Sequence, residues 1–399
     1  MTTWTAAFRS APVSAYESMT LIHPSRAFND QTLRQVVRVR GAGDRLRIRL
    51  SNQYGKQPLT ITRTSVATHD TRSSIRAGTD TAVTFEGTAQ VTIDAGAEAV
   101  SDPVDFAIAG ESDLAVSTYH ASAAGPATYH PFALQTGYVV AGDAVSRTHL
   151  TGAEEVESRF HLGGIDIGAP EGRRVVAAFG DSLTDGVGTS HGTHHRYPDL
   201  LAGRLADTSV INLGIAGNRL LSDVFGERGI ARFERDVLAA PGVTHVVVEL
   251  GLNDIGLPGM LGLPAVPADE LIDGLGSLAR QAARAGLTAV VATLTPFGGA
   301  DGVSPGFDTP EGERTRQRVN QWIRAHVDAV ADLDRALRDP AAPAVLRSDY
   351  DSGDHIHPND AGAEAMADIV ARAVLESEGL PRASGRARAP QGRGPGLGR

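Results

Sequence analysis

From Val175 onward the chain repeats one alternation. A short apolar run is followed by a longer stretch whose apolar residues recur at helical spacing. The runs are Val175–Phe179, Ser209–Leu213, Val243–Leu250 and Thr288–Leu294. The longer stretches are Tyr197–Leu205, Phe233–Ala240, Asp269–Ala285, Glu311–Leu337 and Ala361–Glu378. An apolar run without period-two alternation suits a strand buried on both faces. Parallel strands need crossover helices, and these helices cover both faces of the sheet. The second half is therefore expected to be an α/β sheet that carries its site beyond the C-terminal ends of the strands.

Residues before about 170 have a different period. Leu46-Arg47-Ile48-Arg49-Leu50 alternates apolar and basic residues, and Thr32–Arg40, Leu59–Thr62, Ala82–Phe85, Val91–Ile93, Val104–Ile108 and Leu114–Tyr119 read as further strands. Helical periodicity is nearly absent, so an antiparallel sandwich of jelly-roll type is expected. The arginines at 38, 40, 45, 47 and 49 read as the solvated face of a sheet. His120, His130 and His149 are scattered, and read as surface or packing residues. Acidic Glu154–Glu157 and the breakers Gly163-Gly164 and Gly168-Ala169-Pro170 mark a connecting region. The expected division is an N-terminal extension at 1–20, a β domain at 21–165, an α/β domain at 172–380 and a disordered Gly/Pro/Arg-rich tail at 381–399.

Composition narrows the chemistry. The net charge is −10, which argues against nucleic acid as the main partner. There is no cysteine, so thiolate catalysis, disulfides and thiolate metal sites are excluded. No apolar stretch is long enough to span a bilayer. The first residues lack the basic-then-apolar pattern of a signal peptide, so the sequence as written reads as cytoplasmic, and a mature secreted form would read the same.

Four segments fall at strand ends or before the last helix. They are Gly180-Asp181-Ser182-Leu183, Asn212-Leu213-Gly214-Ile215-Ala216-Gly217-Asn218, Gly251-Leu252-Asn253-Asp254 and Asp354-His355-Ile356-His357-Pro358-Asn359. Each alone is also a plausible turn. Together they supply one chemistry. A serine hydroxyl is a weak nucleophile and needs a base, which an imidazole provides when a carboxylate orients it. Ser182, His357 and Asp354 fill those roles. Acyl transfer creates an oxyanion, and the N–H groups of Ser182 and Gly217 with the Asn253 amide offer three donors. Asp181, Asn212 and Asp254 are candidate supporting residues. The segment lacks the second glycine of a G-x-S-x-G elbow, which excludes that nucleophile geometry. His191, His194 and His195 have no helical zinc spacing, and read as a loop beside the site rather than a metal centre. No metal or cofactor is expected.

The four segments, in this order, resemble the blocks of the SGNH (GDSL) hydrolases, which carry Ser, Gly, Asn and His. Here these are Ser182, Gly217, Asn253 and His357 with Asp354. The resemblance spans roughly residues 173–378 and implies a flavodoxin-like three-layer α/β/α domain and metal-free ester hydrolysis. Leu46–Asn52 with Pro58-Leu59 is similar to the N-terminal β domain of a two-domain subgroup related to carbohydrate acyl esterases. The expected activity is hydrolysis of short O-acyl esters, such as acetyl, on a carbohydrate or glycosylated small molecule through an acyl-enzyme. Acyl transfer to an alcohol, or lipase- or lysophospholipase-type hydrolysis, would use the same residues. A binding protein with a vestigial site is the reading from another class. The loops 222–229, 255–267 and 297–310 are expected to set acyl length.

Overall fold

The computed structural model describes residues 3–19, 23–169 and 172–379; the expected tail at 381–399 lies outside the described residues. The second half is built on a parallel sheet of Arg174–Gly180 (β1), Thr208–Gly214 (β2), His245–Glu249 (β3), Thr288–Ala292 (β4) and Val330–Ala331 (β5). Their spatial order is 2-1-3-4-5, one of the common doubly wound orders. β3 is buried along its whole length, and β1 is buried except at Arg174, as strands covered on both faces must be.

The covering helices are Ser182–Asp185 (α1), Tyr197–Arg204 (α2), Gly229–Phe233 (α3), Leu252–Leu261 (α4), Ala268–Arg284 (α5), Pro310–His326 (α6), Leu333–Leu337 (α7) and Asp360–Ser377 (α8). A wider helical turn, Glu234–Leu238, continues α3. Local chemistry sets the starts of these helices. The Thr309 hydroxyl accepts from Gly312 N–H ahead of Pro310, and Asn359 caps α8 by accepting from Gly362 N–H. In α5 the residues Leu271, Leu275, Leu278 and Ala282 form the buried stripe.

The stretch Glu311–Leu337 is not one helix, contrary to expectation. Val327 turns to extended backbone, β5 joins the sheet edge beside β4, and Asp332 caps α7 by accepting from Arg335 N–H. A two-residue strand has no periodicity of its own, so the apolar pattern runs through it.

The two larger antiparallel sheets of the first half share an apolar core, which includes Val37, Val39, Leu114 and Val116 from one and Leu46, Ile48, Ile165 and Ile167 from the other. Two expectations are corrected here. The supposed N-terminal extension contains the strand Thr3–Arg9, which pairs with Leu162–Ala169. That second strand lies inside the supposed connecting region, and it is buried throughout. Its glycines look like breakers in sequence. In the sheet they admit close neighbours: a Cβ on Gly164 would sit 2.8 Å from the Phe8 carbonyl oxygen.

The arginine row is corrected as well. Arg38 and Arg40 belong to the sheet of Gln31–Arg40, whereas Arg45, Arg47 and Arg49 lie on Gly43–Ser51 in the other sheet. Arg38 binds Asp113 at 2.8 Å, Arg49 binds Asp166 at 2.8 Å, and Arg47 stacks on Trp4. The two halves are joined. One core runs from Ala6, Val13, Phe28 and Tyr129 into the α/β sheet, and Ala6 N–H donates to the Pro241 carbonyl at 2.9 Å. Among the described residues no helix is long and apolar enough to cross a membrane.

Candidate active site

Three adjacent strands end in register. Gly180 of β1 pairs with Gly214 of β2 on one side and with Glu249 of β3 on the other. The segments just beyond them carry Ser182, Gly217 and Asn253. Parallel pairing thus gathers three segments that lie far apart in sequence at one edge of the sheet, where the chain reverses its winding direction.

Ser182 opens α1, so its N–H precedes the helical ladder and has no helical partner. The helix starts here because the Asp181 side chain accepts from Leu183 N–H at 3.1 Å. The Ser182 hydroxyl lies 2.8 Å from His357 Nε2, and His357 Nδ1 lies 2.5 Å from Asp354 Oδ2. With Nδ1–H donating to the carboxylate, Nε2 is the acceptor that the hydroxyl needs. The other Asp354 oxygen accepts from the N–H groups of Ile356 and His357, at 2.9 and 2.8 Å. Burial raises the Asp354 carboxyl, but these bonds and the His357 ring outweigh it and hold it well below the usual carboxylate range. The neighbouring His355 is separately engaged by Asp351, at 2.6 Å.

Gly217 has a φ of +77°, a left-handed conformation that glycine adopts without strain. Among the described residues no backbone or side-chain acceptor takes its N–H. Asn253 is buried at the start of α4, and its amide donates to the Asn218 carbonyl at 3.1 Å, which leaves one N–H of the same group free to act elsewhere. This set of groups can activate a hydroxyl, hold an acyl group on it and bind a developing oxyanion.

Residues 178–365 match the sequence model of the GDSL-like Lipase/Acylhydrolase family. This segment is a GDSL-like acylhydrolase domain. Its family comprises serine esterases that act on ester bonds. No curated protein matches the chain. Solved structures with similarity to the chain include a carbohydrate acetylesterase from Sinorhizobium meliloti, at 18% identity over 51% of this chain and 99% of that one, with a TM-score of 0.41. An inhibitor-bound aryl esterase from M. smegmatis has 18% identity, the same coverages and a TM-score of 0.40. A GDSL-like lipase from Bacteroides thetaiotaomicron has 18% identity over 51% of this chain and 89% of that one, with a TM-score of 0.39.

Within the acylhydrolase domain the supporting candidates have distinct places. The Asn212 amide donates to the Thr184 carbonyl at 2.8 Å, and its oxygen accepts from Gly214 N–H at 2.9 Å, which ties α1 to the end of β2. Asp254 accepts from Leu220 and Leu221 N–H at 2.7 and 2.9 Å, and burial pushes its carboxyl up to about 6. Burial also pushes Asp181 up to about 6, and raises Glu249 further against the Asp181 charge. Among the described residues no group of three His, Cys, Asp or Glu side chains is arranged to hold a metal. His195 Nδ1 contacts Thr193, and His194 lies 3.7 Å from Asp113 of the first half.

Three residues of the site escaped the sequence reading. Glu249 is a carboxyl at the end of the otherwise apolar run Val246–Leu250, and that anomaly was the available signal. Arg232 is fully buried; it donates to the carbonyls of Gly180 and Leu213, both at 2.9 Å, and so ties the ends of β1 and β2. Nothing in its sequence context sets it apart. His130, expected at the surface or in packing, is buried and reaches Asp185 at 3.0 Å across the junction of the halves.

Proposed function

We propose that the chain is a serine esterase that removes a short acyl group, such as acetyl, from a carbohydrate or small-molecule ester. The observation that carries this reading is the unbroken run from Ser182 Oγ through His357 to Asp354, at 2.8 and 2.5 Å. As the Ser182 oxygen bonds to the ester carbonyl carbon, its proton passes to His357 Nε2. The carbonyl oxygen becomes an oxyanion facing the Ser182 and Gly217 N–H groups and the Asn253 amide. His357 then delivers the proton to the departing alcohol oxygen, and the C–O ester bond breaks. A water attacks the acyl-serine with His357 again as base, which releases the acid and restores the hydroxyl. Ser182 is only 5% exposed, and such a covered nucleophile favours a small acyl group.

An ester panel of increasing acyl length on phenyl, sugar and glyceryl alcohols tests the substrate class. Activity should be highest on acetyl esters. Highest activity on long-chain esters would overturn the short-acyl reading. Ser182→Ala should abolish p-nitrophenyl acetate hydrolysis and fluorophosphonate labelling without changing the melting temperature by more than a few degrees. Retained hydrolysis in that variant would overturn the esterase mechanism.

A further inference from the structure

His130 stands in the first half of the chain, on the short strand Tyr129–His130. It is 5% exposed. Its Nδ1 lies 2.8 Å from the Ala11 carbonyl, and its Nε2 lies 3.0 Å from both the Phe132 carbonyl and Asp185 Oδ1. All three partners are acceptors, so each ring nitrogen acts as a donor. Asp185 ends α1, three residues after Ser182, and is almost fully buried. Its second oxygen accepts from Ala216 N–H at 3.0 Å. Ala216 directly precedes Gly217. A continuous path therefore runs from His130 through Asp185 to the peptide next to the Gly217 N–H.

The fit around this path is tight. A Cβ on Gly214 would lie 2.2 Å from Asp185 N, so the end of α1 and the end of β2 are in backbone contact. Asp185 is a buried carboxylate whose position depends on its partners. Arg159, which pairs across from His130 in the strand register, also feels the Asp185 charge. His130 is the side chain that donates to Asp185 Oδ1, and its removal leaves that oxygen without this donor while the Arg159 charge remains nearby.

We propose that His130 is a positioning residue of the ester-hydrolysing centre, supplied by the β half: it fixes Asp185, which holds the Ile215–Ala216 peptide, and that peptide sets the aim of the adjoining Gly217 N–H. This rests on the reading of Gly217 as an oxyanion donor. It also assigns the β half a role within the site, beyond any binding of sugar.

Two substitutions in the full chain separate the two ring nitrogens. His130→Gln places its amide near the Nε2 position and keeps a donor to Asp185. His130→Asn reaches only the Nδ1 position and loses that donor. For p-nitrophenyl acetate, His130→Asn should lower kcat about 10–100-fold with KM little changed, and His130→Gln should stay within a few-fold of the parent. Asp185→Asn should resemble His130→Asn, and the double variant should be no slower than either single one. Amide exchange at Ala216 should accelerate in His130→Asn, and stay slow in His130→Gln and Ser182→Ala. That readout does not depend on turnover, so it stands even where the esterase mechanism fails. Equal kcat and equal Ala216 protection in the Gln and Asn variants would overturn the proposal, as would additive losses in the double variant.

Discussion

At the scale of single residues, two buried carboxyls, Asp181 and Glu249, meet at the end of β1 next to Ser182. Asp181 Oδ2 is buried without a hydrogen-bond donor among the described residues, and Glu249 lies against it. A protonated Glu249 can supply the missing donor, and its carboxyl also accepts from the Thr184 hydroxyl at 3.0 Å. The folded protein then holds protons that the unfolded chain releases above the ordinary carboxylate values of 3.8 and 4.5. By linkage this costs stability as pH rises from that range through about 6, where Asp181 and Asp254 titrate. Glu249→Gln keeps the donor and removes the titration. It should raise the melting temperature above pH 6 by roughly 2–4 °C for each kcal/mol relieved, with no gain below pH 4. A pH series of thermal melts measures this. The gathering of Ser182, Gly217, Asn253, Asp354 and His357 was legible because their residue types fall at strand ends, or before the last helix, in a recognisable order. Glu249, Arg232 and His130 were not, because their partners are set by strand pairing and by contact between the halves.

At the scale of elements, the site depends on how closely α1 lies on the end of β2. The Cβ of an alanine at 214 would meet Asp185 N at 2.2 Å and Thr184 C at 2.7 Å, both backbone atoms that cannot rotate away. Gly214→Ala should therefore cost about 1–3 kcal/mol or more. It should also cut esterase activity, because the shift it forces moves the helix that carries Ser182. Urea unfolding and p-nitrophenyl acetate turnover on the same preparation would show both losses. The strands Gln31–Arg40, Gly43–Ser51 and β1 to β4, and the helices α2, α5, α6 and α8, were readable from period alone; α4 was not, because residues 255–267 read as a loop and the structure places 255–261 in the helix. The break between α6 and α7 was not. The Asp332 carboxylate that caps α7 is also held by Thr293 and Arg324, at 3.1 and 2.9 Å, contacts that a local reading does not see. Leu162–Ala169 failed for the opposite reason: its glycines and alanine mimic a linker until flanking strands bury them.

At the scale of the whole molecule, the β half contains titrating groups of its own. Burial lowers His120 to about 3 and His161 to about 4, and the two rings lie 5.6 Å apart beside Phe28. Both are neutral when folded, and both charge when unfolded near the ordinary value of 6.5. The unfolded chain binds more protons, so stability is lost as pH falls from 6.5 toward 4. His120→Gln should reduce that slope by about 1.4 kcal/mol per pH unit, measured by urea unfolding at a series of pH values. Because Phe28 and Tyr129 belong to the core that continues into the α/β sheet, acid opening of the β half should also lower esterase activity.

The sequence by itself determined the α/β alternation, the serine at a strand end, and the order in which Gly217, Asn253, Asp354 and His357 follow it. Each of these is a local pattern: a period, a turn, a residue type at a fixed offset. The tertiary structure decided which strands become neighbours, and so which buried charges meet. Glu249 lies against Asp181, Arg232 ties two strand ends, and His130 crosses from one half to hold Asp185. No local pattern encodes these meetings. A buried charge is tolerated only where distant chain segments bring it a partner, and that pairing exists only once the sheets have closed on one another.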